Sequence, residues 1–478
     1  MIKIIENKNF IRNVGIFLIG LFFYGYVLFP RVFAELHIQF PFFNFPIFVG
    51  EILLIICFIL SLFIVDIKKI KKWHWGIIAF AGFILVKAFY GYYQWGPLAF
   101  RHAALFYYPI LILFGMLFYR KEFFSEPVKL ILIFSFFIIF LLKWPMPYGT
   151  FTVGSVFLVL AMSLKSKWIR RFCLLLLFFS FPFAALISAP RNVLLGNLFG
   201  IIFLVIALLI ISRIKYFYKI IMGVFMIIFI FLIMFKYSFM NAFSSVVDIK
   251  GNIERYKIYE NQRIRKQESF ELLVIENIRL YNPERVKTAK DCILSKLGRN
   301  IKEIKIAEVR QKQKKPQEAK PQRERDLEIA YNNAVFRFFV WRDMMSEFLE
   351  KKAFLGLDFG WPLRSVSIET LNWGYSKWSR DGWIDGHNSY LTMIYRAGII
   401  GFIWIIFLIS LLCVVIRDFI ILKSVSGIIL CSVFISWFVS ANFMPIFEMP
   451  YYAIPLWSLF GVTLAYLKDI KKSKKIKN

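Results

Sequence analysis

Apolar blocks interrupt this chain again and again, near residues 14–29, 47–65, 76–93, 102–119, 129–142, 150–164, 172–188, 193–212, 220–238, 390–416, 425–441 and 451–467. A hydrocarbon core about 30 Å thick takes roughly 20 helical residues to cross. A backbone in lipid must satisfy its own N–H and C=O groups, so a chain built this way crosses as helices. The two short blocks, 129–142 and 150–164, are expected to be tilted or broken. Hydrophobic residues make up 59% of the chain and the mean hydropathy is +0.63, far from a soluble globular protein. The expected fold is an all-α polytopic membrane protein with about twelve transmembrane helices. The first block follows Lys3, Lys8 and Arg12 and precedes the small Ala34, as a signal peptide does. Further spans follow it, so an uncleaved first helix is the better reading.

Basic residues alternate along the connections. Lys68, Lys69, Lys71 and Lys72 follow the second block, and Arg120 and Lys121 the fourth. Lys165, Lys167, Arg170 and Arg171 follow the sixth, Arg213, Lys215 and Lys219 the eighth, and a lysine-rich tail the last. By the positive-inside rule these loops and both termini are expected in the cytoplasm. The organisation that follows is a membrane part with nine helices over 1–238, an extracytoplasmic (periplasmic) loop domain over 239–388, and helices ten to twelve with a basic tail over 389–478. Within the long loop, the stretch from 334 onward reads as an amphipathic helix ended by a turn at Gly356. The polar insert near 248–330 has no assignable role.

The net charge is +30. Topology and adhesion to anionic head groups account for most of it, with an anionic substrate as a third source; nucleic acid does not suit so apolar a chain. Of the five cysteines, Cys57, Cys173, Cys413 and Cys431 fall in spans and Cys292 in the loop, which is no disulfide framework. No His/Cys spacing suits a metal and no phosphate-binding glycine loop occurs, so no cofactor is expected.

Several polar residues fall on the expected outer face. Arg101 opens the fourth span, Arg191 lies in the turn after the seventh, Arg337 and Arg342 lie on the loop helix, and His387 stands where the tenth span begins. Each arginine alone reads as a snorkelling anchor and the histidine as an interfacial one held by Asp385 or by backbone. Together they suit a diphosphate, because a guanidinium fork matches phosphate oxygens, and a histidine that takes a proton near neutral pH. Lys87, at mid-span, and Arg396, roughly 13–14 Å beyond His387 along a helix, are buried charges that mark either function or an ion pair with Glu51 or another carboxylate.

The segments Arg337–Trp341 (RFFVW), 356–360 (GLDFG), 387–391 (HNSYL) and 397–401 (AGIIG), together with SAPRN at 188–192, resemble the O-antigen ligase family, which includes O-antigen and exopolysaccharide polymerases. The match in sequence is limited to about 334–402 and the turn at 191, and Ala189 and Pro190 stand between the expected Ser and Arg. The resemblance implies a GT-C-type membrane glycosyltransferase working without metal or nucleotide on an undecaprenyl-diphosphate-linked glycan. The acceptor would be a glycan or glycolipid such as lipid A–core in lipopolysaccharide synthesis. It implies His387 as general base, with Arg337 and Arg191 on the diphosphate. Asn388 and Tyr390 would orient the site, and Trp383 and neighbouring tryptophans would stack on sugars or sit in an interfacial belt. Arg396 stands where many members carry a glutamate, which puts that acid's role in doubt and points toward a different acceptor or a polymerase. The setting implied is the bacterial inner membrane. A repeat-unit polymerase is the alternative, and a polyprenyl-glycan flippase or other transporter a further one, although no internal repeat favours transport.

Overall fold

A computed structural model describes residues 2–38, 47–65, 72–121, 126–142, 150–173, 191–211, 253–265, 322–371 and 386–475. Helices occupy ten of the twelve apolar blocks, including Ile2–Leu28, Val49–Leu62, Lys72–Trp95, Glu126–Leu142, Thr150–Met162 and Arg191–Ile211. The block 220–238 and nearly all of 172–188 lie outside the described residues. Leu98–Phe118, Ser389–Ile421 and Pro450–Lys474 are long and apolar enough to cross a membrane, and Val49–Leu62, Leu195–Ile211 and Val425–Ser440 are shorter apolar helices. The chain is an all-helical membrane protein. Among the described residues the only sheet is a pair of two-residue antiparallel strands, His37–Ile38 and Ile47–Phe48.

Two units divide the chain. The first comprises Met1–Met234, Phe348–Trp361 and Asp385–Asn478; the second comprises Phe235–Glu347 and Pro362–Ile384. Residues 348–361, which the sequence reading put in the extracytoplasmic loop, thus fold with the transmembrane helices.

In the first unit, helix pairs close on small residues. Gly115 of Leu111–Phe118 and Gly461 of Pro450–Lys475 face each other so tightly that a Cβ on Gly461 would overlap the Ile112 carbonyl. Lipid gives helices no hydrophobic reason to associate, so such close backbone packing supplies the attraction. Buried side-chain bonds add to it: Ser436 Oγ donates to Asn197 Oδ1 (2.7 Å) and Trp437 Nε1 to Thr152 Oγ1 (2.5 Å).

The loop helix runs over Gln322–Glu350 and stops before Gly356. Lys352 takes the left-handed turn (φ 49°), with its N–H on the Leu349 carbonyl and the Ala353 N–H on the Phe348 carbonyl. These are the two bonds of a Schellman ending. Lys423 ends Ser389–Ile421 the same way, bonding to Ile420 while Ser424 bonds to Phe419. The expected stop at Gly356 is therefore corrected: that glycine (φ 75°) forms a separate turn six residues beyond the helix end.

Candidate functional site

His387 is half-buried and takes a left-handed backbone (φ 46°), a conformation that costs a non-glycine residue on the order of 1 kcal/mol and persists where neighbours dictate it. Asn388 caps the helix Ser389–Ile421, its side chain accepting from the Leu391 N–H at 3.0 Å. Ser389 is fully buried; its N–H donates to the Ala441 carbonyl (2.8 Å), its hydroxyl donates to the Met444 carbonyl, and the same hydroxyl accepts from the Phe447 N–H (both 3.1 Å). Tyr390 donates to the Phe438 carbonyl at 2.8 Å. Asn388 and Tyr390, expected to orient the site, spend these groups on protein partners that fix the corner carrying His387.

Arg191 is the first residue of Arg191–Ile211. That helix packs along Val425–Ser440 at Gly196, where a Cβ would overlap Ser440. Ser389 binds Ala441 on the next residue of the same helix end. The helix that begins at Arg191 and the HNSYL segment therefore converge on one end of Val425–Ser440, with Arg191 about 7–8 Å of helix rise from Gly196.

Arg396 and Lys87 have a different occupation. Arg396 is 1% exposed and its Nη1 donates to the carbonyls of Asp358 (3.0 Å) and Trp361 (2.8 Å). Lys87 Nζ donates to the carbonyls of Leu355 (2.5 Å) and Gly356 (3.0 Å) and lies over the Phe359 ring. Both cations thus hold the backbone of the GLDFG turn. The ion pair with Glu51 does not form: Glu51 Oε1 accepts instead from Tyr107 (2.8 Å) and Tyr108 (2.9 Å). The turn in turn enters a break in the long helix. At Gly398 (φ 56°, ψ −133°) the helix kinks, and the Leu357 N–H bonds to the Tyr395 carbonyl while the Ile399 N–H bonds to the Phe354 carbonyl. Irregular backbone inside a membrane unit is tolerated where such partners exist. The two glycines of AGIIG have their explanation here: a Cβ on Gly398 would overlap Phe354 and one on Gly401 the Met393 carbonyl.

His102 went unnoticed in the sequence, although it adjoins Arg101. Its Nδ1 accepts from the Gly360 N–H at 2.9 Å. The neutral ring then carries its hydrogen on Nε2, so the 3.4 Å approach of Arg396 Nη2 is a contact and not a hydrogen bond. Arg101 itself is exposed at the start of Leu98–Tyr107.

The loop arginines belong to the second unit. Arg337 is half-buried on Gln322–Glu350. Arg342 donates to Tyr256 and Glu260 (2.7 Å each), to Asp343 (3.1 Å) and to Ser367. Burial weakens its hold on the proton, but the carboxylates of Glu260 and Asp343 outweigh that and raise its pKa. This guanidinium is a structural tie inside its unit. Trp383 and Asp385 lie outside the described residues. Among the described residues no group of acidic, histidine or cysteine side chains is set to hold a metal. No protein-family model, curated protein or solved structure matches the chain.

Proposed function

We propose that this chain is a membrane glycosyltransferase of the O-antigen ligase type, acting in the bacterial cytoplasmic membrane on a glycan carried by undecaprenyl diphosphate. The observation that carries the reading is the His387 corner. An ionisable imidazole is held on a strained backbone at the mouth of a long apolar helix, where a lipid-borne head group and an aqueous acceptor meet. In the transfer, the acceptor oxygen bonds to the anomeric carbon of the donor as the carbon–oxygen bond to the diphosphate breaks. The hydroxyl proton passes to His387, and the diphosphate carries away the bonding pair beside Arg191. Attack opposite the leaving group inverts the anomeric configuration. A guanidinium there stabilises charge as it develops.

The test is transfer in proteoliposomes from a synthetic undecaprenyl-diphosphate oligosaccharide, with lipid A–core and a second lipid-linked repeat offered as acceptors. His387→Ala should lower the rate by about 10²–10⁴, the usual contribution of a general base. Product on lipid A–core identifies a ligase, and lengthened lipid-linked chains a polymerase. Undiminished transfer by His387→Ala removes the histidine from the chemistry, and transport of the intact donor with no glycosidic product replaces the enzyme by a flippase.

A further inference from the structure

Away from the His387 corner, the first unit buries a carboxyl group that the proposed reaction does not use. Glu51 lies in the first turn of Val49–Leu62. Its Oε1 accepts two phenolic hydrogen bonds, from Tyr107 and Tyr108. Its Oε2 is buried and has no hydrogen-bond partner among the described residues. Tyr26, 1% exposed, also has a buried hydroxyl with no hydrogen-bond partner among the described residues, and it lies beside the neighbouring Gly50: a Cβ built there would lie 2.8 Å from Tyr26 Oη and 3.7 Å from Tyr108 Oη. The same Cβ would lie 2.7 Å from Ile454 Cδ1, an apolar neighbour. Among the described residues the charged and titratable groups acting on Glu51 are Tyr107, Tyr108, Arg101 and Tyr26. Arg101 makes no hydrogen bond to the carboxyl.

A carboxylate oxygen left dry and unpaired in such a place costs far more than a neutral acid does. Two donors on Oε1 suit a carbonyl oxygen with its two lone pairs, and that leaves Oε2 as the hydroxyl. We propose that Glu51 is a proton-binding site, with the proton on Oε2 and the phenols of Tyr107 and Tyr108 bonded to the carbonyl oxygen. Release leaves the carboxylate on Glu51 and one proton in the water. The inference does not depend on the glycosyltransferase reading.

Infrared difference spectra of the full-length protein in nanodiscs, wild type against Glu51→Gln at neutral pH, test it. A carboxylic-acid carbonyl band that moves in D2O and is missing from the variant is expected. It should fade in wild type as the pH is raised. Tyr107→Phe, which takes one donor from the carbonyl, should move the band to higher frequency; this second reading holds even if Glu51→Gln does not fold. Carboxylate bands alone at neutral pH overturn the proposal. Loss of the acid band on adding sodium chloride, but not choline chloride at equal strength, also overturns it and makes the ligand a metal cation.

Discussion

Replacing Gly398 by alanine tests the kinked junction from its geometry. The new Cβ would overlap the Phe354 carbonyl and the Gly356 nitrogen, so the turn 354–357 must withdraw. Withdrawal breaks the Ile399–Phe354 and Leu357–Tyr395 backbone bonds, both 2.8–2.9 Å, at about 1 kcal/mol each. Alanine at this positive φ costs a further 1–2 kcal/mol or so. The sum is a destabilisation of about 3–4 kcal/mol, before any loss at Arg396 and Lys87, whose acceptors lie on the same turn. Gly82 is the control. It sits inside Lys72–Trp95 with nothing within 4 Å of an added Cβ, so Gly82→Ala should be neutral or stabilising by up to about 1 kcal/mol, as helix propensity dictates. Thermal unfolding of both variants in the same detergent, with proteolysis across 351–361, reads the difference. Gly398→Ala should melt well below wild type and be cut early. If it melts with Gly82→Ala and resists cleavage, the junction does not hold the turn.

Two further outcomes follow from named groups. His387→Gly relieves the left-handed backbone (φ 46°) and should raise the melting temperature slightly while lowering transfer as much as His387→Ala does; a fall in melting temperature would show that the imidazole serves packing. In the second unit, burial raises the pKa of Glu260 but its bonds to Arg263 and Arg342 prevail and hold it below the usual carboxylate range. The unfolded chain therefore binds this proton more readily, and the stabilisation present above the unfolded pKa is lost as pH falls. Hydrogen-exchange protection over 253–265 and 335–347, measured against the intrinsic rate at each pH, should fall on acidification in wild type and depend less on pH in Glu260→Gln; equal pH profiles would exclude the carboxylate as the cause.

The helices were legible because lipid leaves the backbone one option for these blocks, and apolar length alone reports it. Helix ends were less so: Lys352 and Lys423 supply left-handed turns that glycine more often makes, and nothing local in KKAF or LKSV advertises it. HNSYL and AGIIG could be picked out as motifs, yet their geometric reasons come from elsewhere, from Ala441 and Met444 in one case and Phe354 in the other. Arg396 and Lys87 show why charge in a span is an ambiguous sign. The sequence reveals that a cation is buried and must be satisfied, and carboxylates and phosphates are the partners it brings to mind. The partners found are four carbonyl oxygens of a turn that lies 35 to 269 residues away along the chain. A backbone carbonyl carries no residue-type signature, so no reading of side chains could assign it. Glu51 is the converse case. Its type was visible, but the two tyrosines that claim one oxygen and leave the other bare meet it only through the packing of Leu98–Phe118 against Val49–Leu62. A site in this membrane unit is thus defined less by which polar residues enter the spans than by which of their atoms the backbone leaves unsatisfied.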